Sequence, residues 1–191
     1  MAKAGQGALE GIAASVAHGT RPVEQWNPPF CGDIDMKIEA DGTWYYQKTP
    51  IGRPALVKLF ASILKREGDK YFLVTPVEKV GLTVVEAPFL AVELSVTRAE
   101  QQLLMFRTNV DDWVEVGPCH ALRFDLDAAT GGIKPYVHVR RGLWAKVTRA
   151  LFYDLVDLGE EREVACKAMF GVASKGEFFA MAEASALKEF V

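Results

Sequence analysis

The sequence predicts an α+β protein built as two related small domains. Each is a twisted, mainly antiparallel sheet or partial barrel with one packed helix. Three observations carry this expectation. Stretches that alternate apolar and charged residues recur along the chain, bounded by Gly, Pro and Asp, as half-exposed strands joined by turns do. Two stretches place apolar residues at helical spacing. The pattern also repeats: Cys31 finds Cys119 88 positions later, Ile34, Met36 and Ile38 find Leu122, Phe124 and Leu126, and Arg53 finds Arg141. Each copy reads Cys, strand, turn, strand, Arg, helix. Few of these matches are identities, so two similar hairpin–helix units that coincide by chance are the competing explanation.

Half of the 191 residues are hydrophobic and a quarter charged, enough to bury a core. The formal net charge of −3 argues against a nucleic-acid partner, whose footprint is a basic surface. Three widely spaced cysteines, Cys31, Cys119 and Cys166, point to reduced thiols and a cytoplasmic location. No apolar run reaches transmembrane length, so no membrane contact is expected. The first residues carry Glu10 and several glycines inside any apolar run, which favours an arm or short helix over a secretory signal. The expected divisions are 1–25 as that arm, 26–88 as the first domain and 89–191 as the second.

Taken in order, Leu9, Ile12, Ala13 and Val16 carry a helical period over residues 7–17. His18 to Phe30 holds three prolines and reads as extended, with Trp26 and Phe30 as anchors. Ile34, Met36 and Ile38 alternate with charges as a strand, Asp41-Gly42 turns it, and Trp44 and Tyr46 return it. Pro54 suits the first turn of a helix. The stripe Ala55, Leu56, Leu59, Phe60, Ile63 and Leu64 then carries that helix to Glu67-Gly68-Asp69. Strands are expected at 71–75, 81–85, 89–97 and 101–107, with a loop and short strand from Thr108 to Pro118. Leu122, Phe124 and Leu126 form a further strand, Thr130-Gly131-Gly132 a turn, and Tyr136–Val139 its return. From Arg141 the residues Leu143, Val147, Ala150, Leu151, Leu155 and Leu158 predict a long helix that Gly159 ends. Residues 162–173 and 177–182 read as two strands around Ser174-Lys175-Gly176, and 183–189 as a closing helical turn.

Asp33 and Asp35 sit two apart on a strand and share a face, where two carboxylates suit acid–base work, cation binding or simple solvation. Cys119, His120 and His138 fit no zinc spacing, so no metal and no cofactor are expected. Cys31 reads as a buried thiol. No P-loop, GxSxG, HExxH or GxGxxG signature occurs. Arg53 and Arg141 each open a predicted helix, whose free N–H groups welcome an anion. An arginine there needs a partner, either an internal acid such as Asp33 or a bound phosphate or carboxylate. Arg140 and Arg149 add charge near the second helix. Tyr136 and Tyr153 supply hydroxyls, and Arg149 and Tyr153, four apart, share a helix face.

The strings CGDIDMKI, DGTWYY, PIGRPALVKLFASIL, FLVTPVEK, FRTNVDD and PYVHVRRGL resemble a proteobacterial family catalogued as a domain of unknown function, number 1285 in that series. The resemblance spans about Trp26 to Phe179. It implies two domains with repeated β motifs and a role in signal transduction. It also implies that Asp33, Asp35, Arg53, Thr108, Asn109, Asp112, His120, Tyr136, Arg141 and Tyr153 belong to the family's motifs. Ala121 departs from the family form, which has proline after the histidine. The expected function is a non-enzymatic binding or regulatory protein that takes a small anionic ligand or a protein partner between the domains. The alternatives are an enzyme using Asp33 and Asp35 with the Arg53/Arg141 cluster, and a purely structural subunit.

Overall fold

The computed structural model describes residues 22–187, so the helical period over residues 7–17 lies outside them, as do the last positions of the closing turn. The chain divides into two compact units at Pro88/Phe89.

The first unit is one sheet of β1 (Phe30–Ile38), β2 (Trp44–Tyr46), β3 (Thr49–Pro50), β4 (Leu64–Glu67), β5 (Lys70–Val74) and β6 (Lys79–Val84), in the order β3-β2-β1-β6-β5-β4. The helix α1 (Pro54–Ser62) lies between β3 and β4. Its Phe60 ring stacks on Trp44 with centroids 6.4 Å apart, and both side chains are buried. The lead-in is anchored as expected by Trp26, which packs against Val23, Phe72 and Val74. Phe30, 55% exposed, meets the edge of Phe72. Cys31 is exposed rather than buried, because the strand turns its side chain outward.

The first helix is shorter than its apolar stripe predicts. The Ser62 hydroxyl donates to Leu59 O at 2.5 Å, a local bond that competes with helical pairing. Leu64 then enters a strand, buried opposite Leu73, and Gly68, at φ +61, turns that hairpin. A stripe read as continuous helix is therefore helix, cap and strand.

The second unit contains β7 (Phe89–Arg98), β8 (Gln102–Thr108), β9 (Trp113–Glu115), β10 (Leu122–Leu126), β11 (Ile133–Arg140) and β12 (Leu143–Val147). These lie in the order β10-β11-β12-β7-β8-β9. The helix α2 (Arg149–Asp157) follows, then a three-stranded sheet of β13 (Glu160–Val164), β14 (Lys167–Ser174) and β15 (Glu177–Glu183), and the turn α3 (Ala184–Leu187). The long helix expected from Arg141 is corrected. Arg141 and Gly142 have φ of 49° and 71° and form a two-residue hairpin turn between Arg140 and Leu143. Leu143, Ala145 and Val147 are buried at a period of two, so this stretch is strand, and the helix begins only at Arg149. The expected strand at 162–173 is likewise two strands, folded back at Ala165-Cys166. Sheets dominate both units, and helix is a smaller share than an α+β reading implies.

Both six-stranded sheets have the same topology. In each, strands one to three form an antiparallel meander and strands four to six form another. The first strand then pairs in parallel with the sixth, as β1 with β6 and β7 with β12. The correspondence is not the one that Cys31 and Cys119 predict, because Cys31 lies in the first strand of its sheet while Cys119 precedes the fourth of the other. The rung of the second strand shows the matching residues. Ile51 N–H donates to Trp44 O in one unit, and Val116 N–H donates to Leu104 O in the other, at 2.8 and 2.9 Å. The two helices occupy different places in the order, α1 before the fourth strand and α2 after the sixth.

Candidate binding groove

A groove of about 550 Å³ opens in the second unit beside β9, the loop after it and the β14–β15 turn. Trp113, Glu115, Cys119, His120 and Lys175 line it. Trp113 sits in a three-residue strand and is 49% exposed. Lys175 occupies the turn at φ +52, and its ammonium pairs with Glu115 at 3.0 Å. The lysine stem lies across Gly117, where a Cβ would meet Lys175 Cδ at 3.2 Å.

The loop Gly117-Pro118-Cys119-His120 is closed by two reciprocal backbone bonds of 3.1 Å between Gly117 and His120. Two histidines fasten it to β11. His138 accepts from Gly142 N–H at Nε2 (3.2 Å), which leaves Nδ1 to donate to Cys119 O at 3.0 Å. His120 Nδ1 faces His138 O at 3.1 Å and donates to it, so Nε2 carries the lone pair. The two rings stack at 5.8 Å, and His138 meets the edge of Trp144 at 5.1 Å. Arg123 continues the series, lying 4.6 Å from the Trp144 ring and 4.9 Å from Tyr136. Neither histidine ring bonds the Cys119 thiol among the described residues. No group of three potential metal ligands occurs among the described residues.

Of the residues singled out by sequence, His120 lines the groove together with Cys119, while the other candidate ligand-binding residues do not. Thr108, Asn109 and Asp112 build the β8–β9 turn that precedes Trp113. The buried Thr108 hydroxyl accepts from Val110 and Asp112 N–H, and Asn109 Oδ1 accepts from Leu90 N–H. Asp112 forms an ion pair with Arg140. Arg149 donates to the Tyr153 hydroxyl at 3.0 and 3.1 Å on the exposed start of α2. Asp33, Asp35 and Arg53 are exposed in the first unit. Arg53 caps α1 with no ion pair among the described residues, so the expected Asp33 partnership is not formed. Arg141 is exposed in its hairpin turn, and no helix begins there. The shared helix-opening position that drew Arg53 and Arg141 together is therefore absent. Trp113, Glu115 and Lys175 were missed because each sits in a stretch read as loop or turn. An exposed tryptophan inside a short strand is the signal that could have drawn attention.

These features define a protein of two topologically matched six-stranded sheet units, the second carrying an added three-stranded sheet and a groove of mixed polar and apolar lining. The chain belongs to the DUF1285 family. Residues 21–87 match "Domain of unknown function (DUF1285), N-terminal domain", and residues 88–181 match "Protein of unknown function (DUF1285), C-terminal domain". The crystal structure of a DUF1285 family protein from Silicibacter pomeroyi DSS-3 is similar at 49% identity and TM-score 0.86, over 94% of this chain and 97% of that one. A DUF1285 family protein from Shewanella baltica OS155 is similar at 34% identity and TM-score 0.52, over 65% of this chain and 91% of that one. No curated protein matches the chain. Among the described residues no helix is long and apolar enough to cross a membrane.

Proposed function

We propose that the protein is a non-enzymatic binding module whose ligand, a small anion with a flat apolar part, lies in the groove beside Trp113. The observation that carries this is the grouping of a half-exposed indole, the Lys175 ammonium and the His120 ring along one groove. An indole face takes a planar group, and an ammonium takes an anionic one. The Lys175–Glu115 pair is exposed at both ends, so it costs little to exchange for a ligand. Binding is favoured over catalysis because neither histidine bonds the Cys119 thiol among the described residues. The regulatory role implied by the family resemblance would follow from occupancy of this groove.

The test is a thermal-shift and tryptophan-fluorescence screen of nucleotides, aromatic carboxylates and inorganic phosphate. Ligand at a hundred times its dissociation constant stabilises the fold by about 2.7 kcal/mol, a shift of several degrees. A bound compound should lose about tenfold in affinity with Trp113→Ala and again with Lys175→Ala, the equivalent of about 1.4 kcal/mol each. A screen without a hit, or a hit that both variants bind as tightly as the wild type, overturns the proposal.

A further inference from the structure

We propose that the open flank of β7 is a self-complementary interface, through which two copies of this chain pair antiparallel about a two-fold axis at Ser95. β12 pairs with β7 only from Phe89 to Ala91. It stops there because Thr148, whose N–H donates to Ala91 O, leads the chain into α2. Along Val92–Arg98 no strand of the described residues takes that side, and six of these seven residues are exposed.

The main-chain groups of this flank can be assigned. Leu104, in β8, directs its N–H to the Ser174 hydroxyl and its carbonyl to Val116 N–H, both away from β7. Val96, its cross-strand partner, must then direct its own N–H and C=O away from β8. With a period of two, Leu94 and Arg98 do the same. A ladder's worth of donors and acceptors therefore faces outward.

Natural sheets protect such flanks with charge, bulges or short length. The other free strands here follow that practice. β3 and β9 have two and three residues, β4 reads Leu-Lys-Arg-Glu, and β13 reads Glu-Glu-Arg-Glu-Val. β15 lies against β10. The first strand of the other sheet is also longer than one neighbour, since β2 covers only Met36–Ile38. Its open part is broken by Gly32 at φ +101 and carries Asp33 and Asp35. β7 carries its bulge at Ala91–Glu93, its charges at Glu93 and Arg98, and contacts with α2, but Leu94–Thr97 has neither charge nor bulge. Its flank reads Val-Glu-Leu-Ser-Val-Thr-Arg, and Glu93 is already tied to Arg107 at 2.7 Å.

The sequence of the flank fits itself. Centred on Ser95, antiparallel pairing sets Leu94 against Val96, Glu93 against Thr97 and Val92 against Arg98. Apolar residues meet on the face of Leu104 and Phe106, and no like charges are opposed. An unrelated strand would have no reason to match this symmetry, which is why a second copy is the partner.

The experiment uses the full chain with its three exposed cysteines changed to serine. Sedimentation should show a concentration-dependent dimer. Ser95→Cys should then give a covalent dimer under mild oxidation, because facing Cα atoms about 4.5 Å apart lie within disulfide reach. Thr97→Cys, which would face Glu93, should link at least tenfold more slowly. Val96→Lys should yield a folded monomer whose melting temperature no longer depends on concentration; if it fails to fold, the Ser95→Cys result decides. A monomer at every concentration, or a dimer that Ser95→Cys does not link, overturns the proposal.

Discussion

The carboxylate of Asp33 lies over Gly81 of the neighbouring parallel strand, in the space a side chain there would need. A Cβ on Gly81 would come within 1.9 Å of Asp33 Oδ1. The pair is a packing arrangement between β1 and β6, and it gives the aspartate a structural reason to sit opposite a glycine. Gly81→Ala should push the Asp33 side chain aside at a cost under about 1 kcal/mol, since only the end of a short chain must move. In an Asp33→Ala background the same change should cost nothing or stabilise, because glycine weakens a strand interior. Urea unfolding of the four proteins gives the coupling directly. Equal effects of Gly81→Ala in both backgrounds would show that the two residues do not compete for this space.

Ser174 joins the added sheet to the main one. Its buried hydroxyl accepts from Leu104 N–H at 3.0 Å and donates to Val116 O at 2.9 Å. Ser174→Ala leaves a buried N–H and a carbonyl without this partner, so a loss of about 1–3 kcal/mol is expected. Denaturant unfolding followed by fluorescence measures it. A change below about 0.5 kcal/mol would mean that another group replaces the hydroxyl.

Glu67 makes part of the first unit pH-sensitive. The Lys79 ammonium at 2.9 Å, opposed by partial desolvation and helped by Lys65, holds its carboxyl below the ordinary value of 4.5. A carboxylate whose folded pKa is depressed contributes stability above its unfolded pKa and loses it as pH falls through the folded value. Glu67→Gln should therefore destabilise the protein by up to about 1 kcal/mol at pH 7, the range of partly exposed pairs. The gap to wild type should shrink as pH drops below 4.5 and close further down. Unfolding curves at several pH values check this, and a gap independent of pH would contradict it.

What the sequence concealed is chiefly the turns. Asp41-Gly42 and Lys175-Gly176 carry the glycine that a left-handed turn advertises, and both positions were legible. Gln47-Lys48 and Ala165-Cys166 hold the same conformation, with φ between 48° and 62°, without any glycine, and so they gave no signal. Arg141-Gly142 looked like a helix start because Leu143 and Val147 also fit a spacing of four, while the period-two reading through Ala145 was weaker. With that turn read as a helix start, Arg141 gains a false likeness to Arg53, and the repeat falls in the wrong register. The groove was illegible for a different reason. It joins Trp113, His120 and Lys175 from three separate segments, and the Ser174 bridge that brings the last of them in is a tertiary contact.

The parallel seam between the first and sixth strands of each sheet also governs how the chain can be made. β1 emerges first from the ribosome, yet its full-length neighbour β6 comes last of the six, and β7 waits in the same way for β12. Neither sheet can close until its final strand is available, so each unit has a long-range contact at its centre and belongs with the slower-folding topologies. The first unit can close once the chain has reached Pro88, whereas the second has its seam only after Val147 and must still add β13 to β15. Nascent chains stalled before residue 79 should leave the β6-facing side of β1 open, which makes that interval of synthesis the one most open to mispairing between neighbouring chains.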